Sequence, residues 1–148
     1  MDRTTTSPEL ENLVRIDKLK RGRCAAREFH GLVGSAEARL ADAANLALTL
    51  DSRFDLAYNA AHALALAALR YRGYRSSDRY IVFQVLPHTL GMTASTVRVL
   101  ATCHTRRNRA EYEGLIDVNE TLVSDLVREA QRLLAAVQAL EPPVEPEQ

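Results

Sequence analysis

The sequence has no tryptophan, few aromatic residues of any kind and only two cysteines. Aromatic residues make up 5% of the 148 residues and apolar residues 47%, so the core must consist mainly of alanine, leucine and valine. Alanine and leucine favour helices over strands. Cys24 and Cys103 form neither a repeated framework nor a metal-binding pair, which indicates free thiols in a reducing compartment. The composition therefore predicts an all-α, cytoplasmic protein without disulfides.

An excess of charge is also missing, because 19 basic residues balance 19 acidic ones. The chain as a whole lacks the positive charge that attracts many proteins to nucleic acid, so any such attraction must be local. Two runs of arginine are candidates for a basic patch. They are Arg70, Arg72, Arg75 and Arg79, followed by Arg106, Arg107 and Arg109.

The sequence lacks the motifs of several kinds of functional site and of membrane or signal segments. The scattered glycines form no phosphate-binding loop and the four histidines lack metal-site spacing, so we expect no metal and no cofactor. Arginines near Cys103 are expected to lower the pKa of its thiol, but nothing else marks a nucleophile. The most apolar run, 57–69, is too short to span a bilayer, and the polar residues 1–8 do not resemble a signal peptide. We therefore expect no membrane association.

The length is that of one domain with one core. The apolar spacing predicts a helical bundle of four main helices plus short helices over residues 28–140. Residues 1–22 are predicted to form an N-terminal arm whose short helix runs from about Pro8 to Lys20. Residues 141–148 form an acidic tail that we expect to be disordered.

Apolar spacing and capping residues place the first two main helices. The earlier one is apolar at every third or fourth position, which keeps one face apolar. Its predicted buried positions are Leu32 or Val33, Ala36, Leu40, Ala43, Ala47 and Leu50. The later one starts at the capping pair Ser52 and Asp55 and runs from about Arg53 to Tyr71. It is apolar around most of its circumference, so we place it at the centre of the bundle.

A short helix and two more main helices follow. Residues 80–90 are predicted to form a short helix kinked at Pro87, although their first four residues also fit a strand. The next helix starts near Ser95, and the last is capped by Asp117 and Glu120. The predicted buried positions of the last helix are Leu122, Leu126, Ala130, Leu133, Val137 and Leu140.

The second-last helix carries an unusual polar stripe. The stripe consists of His104, Arg107, Asn108, Glu111 and Tyr112. Successive helical residues turn by about 100°, so the stripe continues the face on which Val97 and Leu100 are apolar. Polar groups pointing in a buried direction are costly unless they are paired or face a ligand or partner. Alternatively, the helix leaves the core at about Thr105 and the stripe is its solvated end. Arg106 and Arg109 are predicted to face solvent.

The central helix carries a second polar stripe. Asp55, Asn59 and His62 follow one another at spacings of four and three, with Tyr58 beside them. A polar stripe on a buried helix indicates an internal hydrogen-bond network or a cleft. For His62 alone, a hydrogen-bonded core histidine is the favoured interpretation.

Two segments resemble HEPN domains, a superfamily of small helical-bundle proteins. Residues 107–112, Arg-Asn-Arg-Ala-Glu-Tyr, resemble the HEPN signature, in which an Arg followed by Asn, Asp or His is spaced four to six residues from a His. Residues 57–65, AYNAAHALA, with Gly73 after them, resemble the tyrosine- and alanine-containing helix of these domains. The likeness extends over residues 36–140, and it depends on the order and separation of both motifs.

The resemblance implies a bundle of four main helices that forms a homodimer with its signature helices facing each other. In active members it implies a metal-independent ribonuclease site. There the His takes the proton of the ribose 2′-hydroxyl while the Arg steadies the phosphate. The resemblance also implies a role as a toxin, a defence protein or a companion of a nucleotidyltransferase.

Tyr112 stands where the family has its His, and this departure moves the expectation from catalysis towards binding. A phenol titrates at about pH 10 and is a poor base at neutral pH. Helix geometry offers two substitutes for the base. One is His104, one turn before Arg107 on the same face, and the other is Tyr112 itself, made more acidic by Arg107.

We therefore expect a HEPN-like RNA- or nucleotide-binding protein, as in a toxin–antitoxin or defence system. Arg107 would contact phosphate, Asn108 would hold Arg107 or the ligand, and Tyr112 would stack or hydrogen bond. Further binding candidates are Asp55, Tyr58, Asn59 and His62. The alternative is a non-enzymatic homodimeric module that partners a nucleotidyltransferase, with Arg107 and Glu111 paired across the interface.

Overall fold

The computed structural model describes residues 7–143. Over this range the chain forms seven helices and two short strands, and the predicted all-α helical bundle is confirmed. Four helices of 18 to 22 residues form its body. The elements are α1 (Pro8–Arg15), β1 (Lys20–Arg21), α2 (Ala26–Ala43), α3 (Leu50–Tyr71), β2 (Tyr74–Arg75), α4 (Arg79–Gln84), α5 (Leu86–Thr89), α6 (Ala94–Glu113) and α7 (Glu120–Gln138).

Helix α3 lies at the centre of the bundle, as its apolar circumference predicts. It packs chiefly against α2 and α7 and also contacts α4, α5 and α6. Its alanines let neighbouring backbones approach closely, while Phe54, Tyr58 and Leu64 fill the larger spaces and have no exposed surface. The predicted buried positions that are confirmed are Ala36, Leu40 and Ala43 on α2 and Leu126, Ala130, Leu133 and Val137 on α7. The half-buried ones are Leu32, Val33, Leu50, Leu122 and Leu140.

The junction between α2 and α3 differs from the prediction, because α2 ends about two turns before Leu50, its last predicted buried position, and Leu50 is instead the first residue of α3. Helix α2 ends at Ala43, so Ala47 is exposed instead of buried. Thr49 has an extended backbone and caps α3, because its Oγ1 accepts a hydrogen bond from the Ser52 amide at 3.2 Å. The predicted cap at Ser52 is therefore wrong. A residue of the same capping chemistry stands three positions earlier.

The cap of α7 also lies at a different residue from the predicted one. Asn119 rather than Asp117 caps the helix, and its Oδ1 accepts a hydrogen bond from the Leu122 amide at 2.8 Å. Asp117 instead forms an ion pair with Arg106 of α6, at 2.8 Å. Arg106 was predicted to face solvent, but it is half-buried and ties the α6–α7 connection to the end of α6.

The N-terminal arm contains less helix than predicted. Helix α1 ends at Arg15 rather than near Lys20, and Asp17 follows with φ of 62°, in the left-handed region that turns the chain out of the helix. Strand β1 then pairs antiparallel with β2, so that Lys20 lies opposite Arg75. No sequence pattern indicates these strands, because two residues are too few to show a period.

The segment 80–90 is helical, as predicted, but is divided into α4 and α5. Helix α4 starts after Asp78, whose Oδ1 accepts a hydrogen bond from the Tyr80 amide at 2.9 Å. The break falls at Val85, and Pro87 lies in the first turn of α5, where a helix needs no amide donor.

The first run of arginines is largely structural and does not form a surface patch. Arg70 is buried, and its guanidinium donates to Glu28 and to three backbone carbonyls. Arg72 donates to the carbonyl of Thr89 at 3.0 Å. Of this run, Arg75 and Arg79 remain as candidates for contact with a ligand.

Most of the predicted disordered tail, residues 144–148, lies outside the described residues, as do residues 1–6 of the arm. Pro143, within the predicted tail, is buried. The chain is therefore still packed against the bundle two residues after Glu141.

Candidate functional site

Tyr58 of α3 and His104 of α6 form the centre of a polar cluster. The Tyr58 Oη and His104 Nδ1 atoms are hydrogen-bonded at 2.9 Å, and the Asn108 amide nitrogen lies 3.0 Å from His104 Nε2. Because an amide nitrogen only donates, Nε2 accepts and the ring proton of a neutral His104 is on Nδ1, which donates to Tyr58. The two polar stripes predicted from the sequence therefore meet at these residues.

Two arginines lie against the ring of Tyr58. The guanidinium carbons of Arg107 and Arg79 are 5.2 Å and 5.6 Å from the ring centroid, within the range of cation–π attraction. Arg79 also donates to Asn59 Oδ1 at 3.3 Å, and the Asn59 amide donates to the backbone carbonyl of Asp55 at 2.8 Å. Tyr58 and Asn59 thus hold two cations beside one buried aromatic ring.

The positive charge of this pair is only partly compensated. Arg107 lies 3.4 Å from the carboxylate of Glu111, whose side chain is 64% exposed, so the pairing is weak. Within residues 7–143, Arg79 forms no salt bridge. Both arginines are half-buried and can still be reached from solvent. An anion would therefore find two positioned guanidinium groups here.

The two histidines of the cluster are neutral at neutral pH. Burial, with help from Arg79, lowers the pKa of His62 to about 4. Burial also lowers the pKa of His104, against the raising effect of the Asp78 carboxylate. The pKa of the Tyr58 phenol is raised by burial, which outweighs the hydrogen bond from Arg79. The arginines therefore supply the positive charge of the site.

We expect His62 to make the fold sensitive to acid. An unfolded His62 would bind a proton at about pH 6.5, whereas the folded one resists protonation down to about pH 4. Stability is therefore complete above about pH 6.5 and falls towards pH 4, by up to about 3 kcal/mol from this residue. Urea unfolding at about pH 7 and about pH 4.5 should show a smaller loss in His62→Gln than in the wild type. Equal losses would exclude His62 as the cause.

The structure brings together six of the nine predicted site residues. They are Tyr58, Asn59, His62, His104, Arg107 and Asn108. Asp55 contributes its backbone carbonyl, while its side chain is exposed. Glu111 is connected to the cluster through Arg107, and Tyr112 is 91% exposed.

The prediction that the whole stripe of α6 points inward is wrong beyond Arg107. The buried residues of α6 are Thr96, Leu100 and Cys103. His104 and Arg107 each lie one turn after one of them and are half-buried, but from Asn108 to the helix end every residue except Ala110 is exposed. The alternative, in which the helix leaves the core and ends in solvent, therefore describes the residues from Asn108 onward. The helix itself continues to Glu113 and ends at Gly114, with φ of 76°.

The sequence interpretation named Arg79 only within a run of arginines and not as a residue of this site, and it did not name Phe83 as a functional candidate. The Phe83 ring packs edge-on against those of Tyr58 and His62, at 5.9 Å and 6.0 Å between centroids. Arg79 reaches the site because α4 lies across α3 and α6. No local pattern distinguishes it from the other arginines, so only the packing of α4 reveals it.

Cys103 differs from the sequence expectation. The thiol has no exposed surface, and burial raises its pKa to about 12, although Arg106 acts in the opposite direction. The arginines near it therefore do not activate it as a nucleophile.

No protein-family model, no curated protein and no solved structure matches the chain. The resemblance to HEPN domains therefore remains a prediction from the sequence motifs. Within residues 7–143, no helix is both long enough and apolar enough to cross a membrane. Over the same range, no three His, Cys, Asp or Glu side chains come together in a way that could hold a metal ion.

Proposed function

We propose that the chain is a HEPN-like cytoplasmic protein that binds RNA or a nucleotide through Arg79 and Arg107. The supporting observation is the pair of half-buried guanidinium groups held on one tyrosine, with Glu111 as a partial counter-charge. Such a function suits a component of a toxin–antitoxin or defence system, as the resemblance implies.

Phosphate is the anion that we propose for this site. A guanidinium group offers several donors in one plane and binds phosphate oxygens through charge-assisted hydrogen bonds. The neutral imidazole of His104 and the phenol of Tyr80, which is 48% exposed and 6.1 Å from the His104 ring, offer ring surface beside the cations. Base stacking on such surfaces is common in single-strand binding. We therefore propose a ligand that carries both a phosphate and a base.

The test is the salt dependence of RNA binding. A labelled single-stranded RNA should bind the wild type with an affinity that falls as salt rises. Arg107→Gln should weaken binding about tenfold and reduce the salt slope by about 0.7, the value for one lost phosphate contact to a single strand. Fluorescence anisotropy measures both quantities.

Arg109→Gln is the matched control, because it removes an exposed arginine two residues away on α6. It should leave the affinity nearly unchanged. Equal losses in the two variants would mean that general charge rather than this site binds RNA.

The proposal does not include RNA cleavage. Nε2 of His104 is the nitrogen that would accept a proton, and the Asn108 amide occupies it. Tyr112 is exposed in solvent, while Arg107 lies beside Glu111 and Tyr58. We expect His104→Ala and Tyr112→Phe to leave the same low background of RNA cleavage as the wild type. A cleavage activity that either substitution abolished would contradict this.

A second candidate function is that of a homodimeric module that docks a nucleotidyltransferase. The observation that favours it is the exposure of Tyr112 (91%) in the last turn of α6 and of Leu115 (76%) just after the helix. A partner docked at this end of α6 would cover both side chains, which lie three positions apart in the sequence. In this role the polar residues of α6 would fix how two copies align.

The oligomeric state tests the homodimer that this candidate requires. Light scattering after gel filtration should show a dimer for the wild type and a shift to monomer for Leu115→Ser. Leu46→Ser is the control, because Leu46 is 77% exposed in the α2–α3 connection. A monomeric wild type at every concentration would reject the dimer.

A further inference from the structure

A cleft separate from the Tyr58 cluster lies between the N-terminal arm and the later turns of α3. Its volume is about 790 Å³. The β1–β2 pair and the loop that precedes α4 form much of its wall. Charged and hydroxyl side chains dominate the lining, which consists of Asp17, Lys18, Lys20, Glu28, Leu66, Arg70, Arg75, Ser76, Ser77 and Asp78. Lys18 and Lys20, the two lysines of the sequence, both lie in this lining.

Two of the three acidic residues in this cleft are already engaged. Glu28 receives two hydrogen bonds from Arg70, which are the largest cause of its lowered pKa, while Arg75 adds a smaller effect. Asp78 accepts hydrogen bonds from two amides of the first turn of α4. Arg70 is in turn saturated by Glu28 and three carbonyls. Asp17 is thus the remaining carboxylate of the lining, beside the cations Lys18, Lys20 and Arg75.

Three cations of the cleft remain without a salt bridge among residues 7–143. They are Lys18, Lys20 and Arg75. All three are exposed to solvent. The lining thus has four basic and three acidic side chains, a net charge of +1, although the whole chain is neutral.

The β-pair places two of these cations directly opposite each other. Lys20 pairs with Arg75, which puts their Cβ atoms about 5 Å apart on one face of the strands. Like charges in this position destabilise a strand pair. Gly22 leaves room for the Arg75 guanidinium, since a Cβ there would lie 3.1 Å from Arg75 Nε. An anion bound between Lys20 and Arg75 would therefore offset the repulsion between their charges.

We propose that Lys18, Lys20 and Arg75 form a phosphate-binding site separate from the one at Arg79 and Arg107. The hydroxyl groups of Ser76 and Ser77 add donors. The Ser76 oxygen accepts a hydrogen bond from the Asp78 amide at 3.0 Å, which leaves its hydrogen for the ligand. This site does not depend on the function proposed above.

The phosphate can come from a free compound or from a nucleic-acid strand. The loop from Ser76 to Asp78 leads directly into Arg79, so the two sites adjoin. Asn59 and His62 at the first site and Leu66 and Arg70 at the second lie on one stripe of α3, spaced by three, four and four residues. Asn59 and Arg70 are eleven positions apart, which is about 16 Å along the helix, so one strand could reach both sites.

Thermal unfolding with inorganic pyrophosphate, and separately with single-stranded RNA, tests the site. Sodium chloride at matched ionic strength is the blank. Pyrophosphate should raise the Tm of the wild type, and Arg75→Gln or Lys20→Gln should abolish most of that rise. Without ligand, Lys20→Gln should have a Tm equal to or above that of the wild type, because a repulsion is removed. Calorimetric titration should show pyrophosphate affinity reduced about tenfold in either variant.

Two further variants separate this site from the first. Arg98→Gln, an exposed arginine on α6, should behave as the wild type. Arg107→Gln should remove only the smaller part of the pyrophosphate response, which comes from the first site, whereas Arg75→Gln should remove the larger part. An effect of Arg75→Gln on both pyrophosphate and RNA supports a site open to either source. An effect on RNA alone supports a strand that continues from Arg79. The proposal is overturned if Arg75→Gln changes the Tm rise and the affinity for neither pyrophosphate nor RNA. It is also overturned if Arg98→Gln reduces them as much as Arg75→Gln does.

Discussion

Replacing Arg79 and Arg107 together with glutamine is expected to lower the affinity for single-stranded RNA by about a hundredfold. Each guanidinium would supply about 1.4 kcal/mol to one phosphate, which corresponds to tenfold in affinity. The arginines lie on different helices, α4 and α6, and meet only at the Tyr58 ring. Anisotropy titrations of the two single variants and the double variant at one salt concentration measure the effect.

The control for this experiment removes the same amount of charge elsewhere. Arg98 and Arg109 are both exposed on α6, so their double replacement by glutamine changes the net charge equally. We expect at most a few-fold loss in that variant. A comparable loss in both double variants would show that RNA, if it binds, recognises overall charge rather than the Tyr58 cluster.

Replacing Arg70 with alanine is expected to lower the free energy of unfolding by about 3 kcal/mol. The Arg70 guanidinium donates to the carbonyls of Gly22, Arg23 and Tyr74 at 3.0, 2.7 and 3.2 Å, and to both oxygens of Glu28. Its removal would leave carbonyls without a donor and loosen the arm and β2 from α3. Urea unfolding at neutral pH measures the change.

Arg72→Ala is the comparison for Arg70→Ala, because Arg72 donates to a single carbonyl, that of Thr89. We expect a loss of about 1 kcal/mol there. If Arg70→Ala costs no more than Arg72→Ala, the network around Arg70 does not hold the arm in place.

The helices were predictable because apolar spacing depends on local sequence, whereas their ends were not. Thr49 and Ser52 have the same capping chemistry, as do Asn119 and Asp117. The choice between them depends on how the connections pack. Asp117 was taken by an ion pair with Arg106, a contact that no spacing rule indicates. The pairing of β1 with β2 likewise joins residues more than fifty positions apart.

The candidate site was predictable to the extent that it lies on two stripes. Helical periodicity was sufficient to place Asn59 and His62 on one stripe and His104 and Arg107 on another. It could not show that α6 becomes exposed after Arg107, because that depends on which elements cover α6. Arg79 was missed for the same reason, since its approach to Tyr58 depends on how α4 packs.

The most direct test of the central claim is to observe the side chains of the proposed site while RNA is added. NMR spectra of the arginine Nε–Hε groups and the histidine rings can be assigned through Arg79→Gln, Arg107→Gln and His104→Gln. We expect the signals of Arg79, Arg107 and His104 to shift together in a saturable way, with those of Arg98 and Arg109 unmoved. Saturable RNA binding that leaves the first three signals in place would contradict the account.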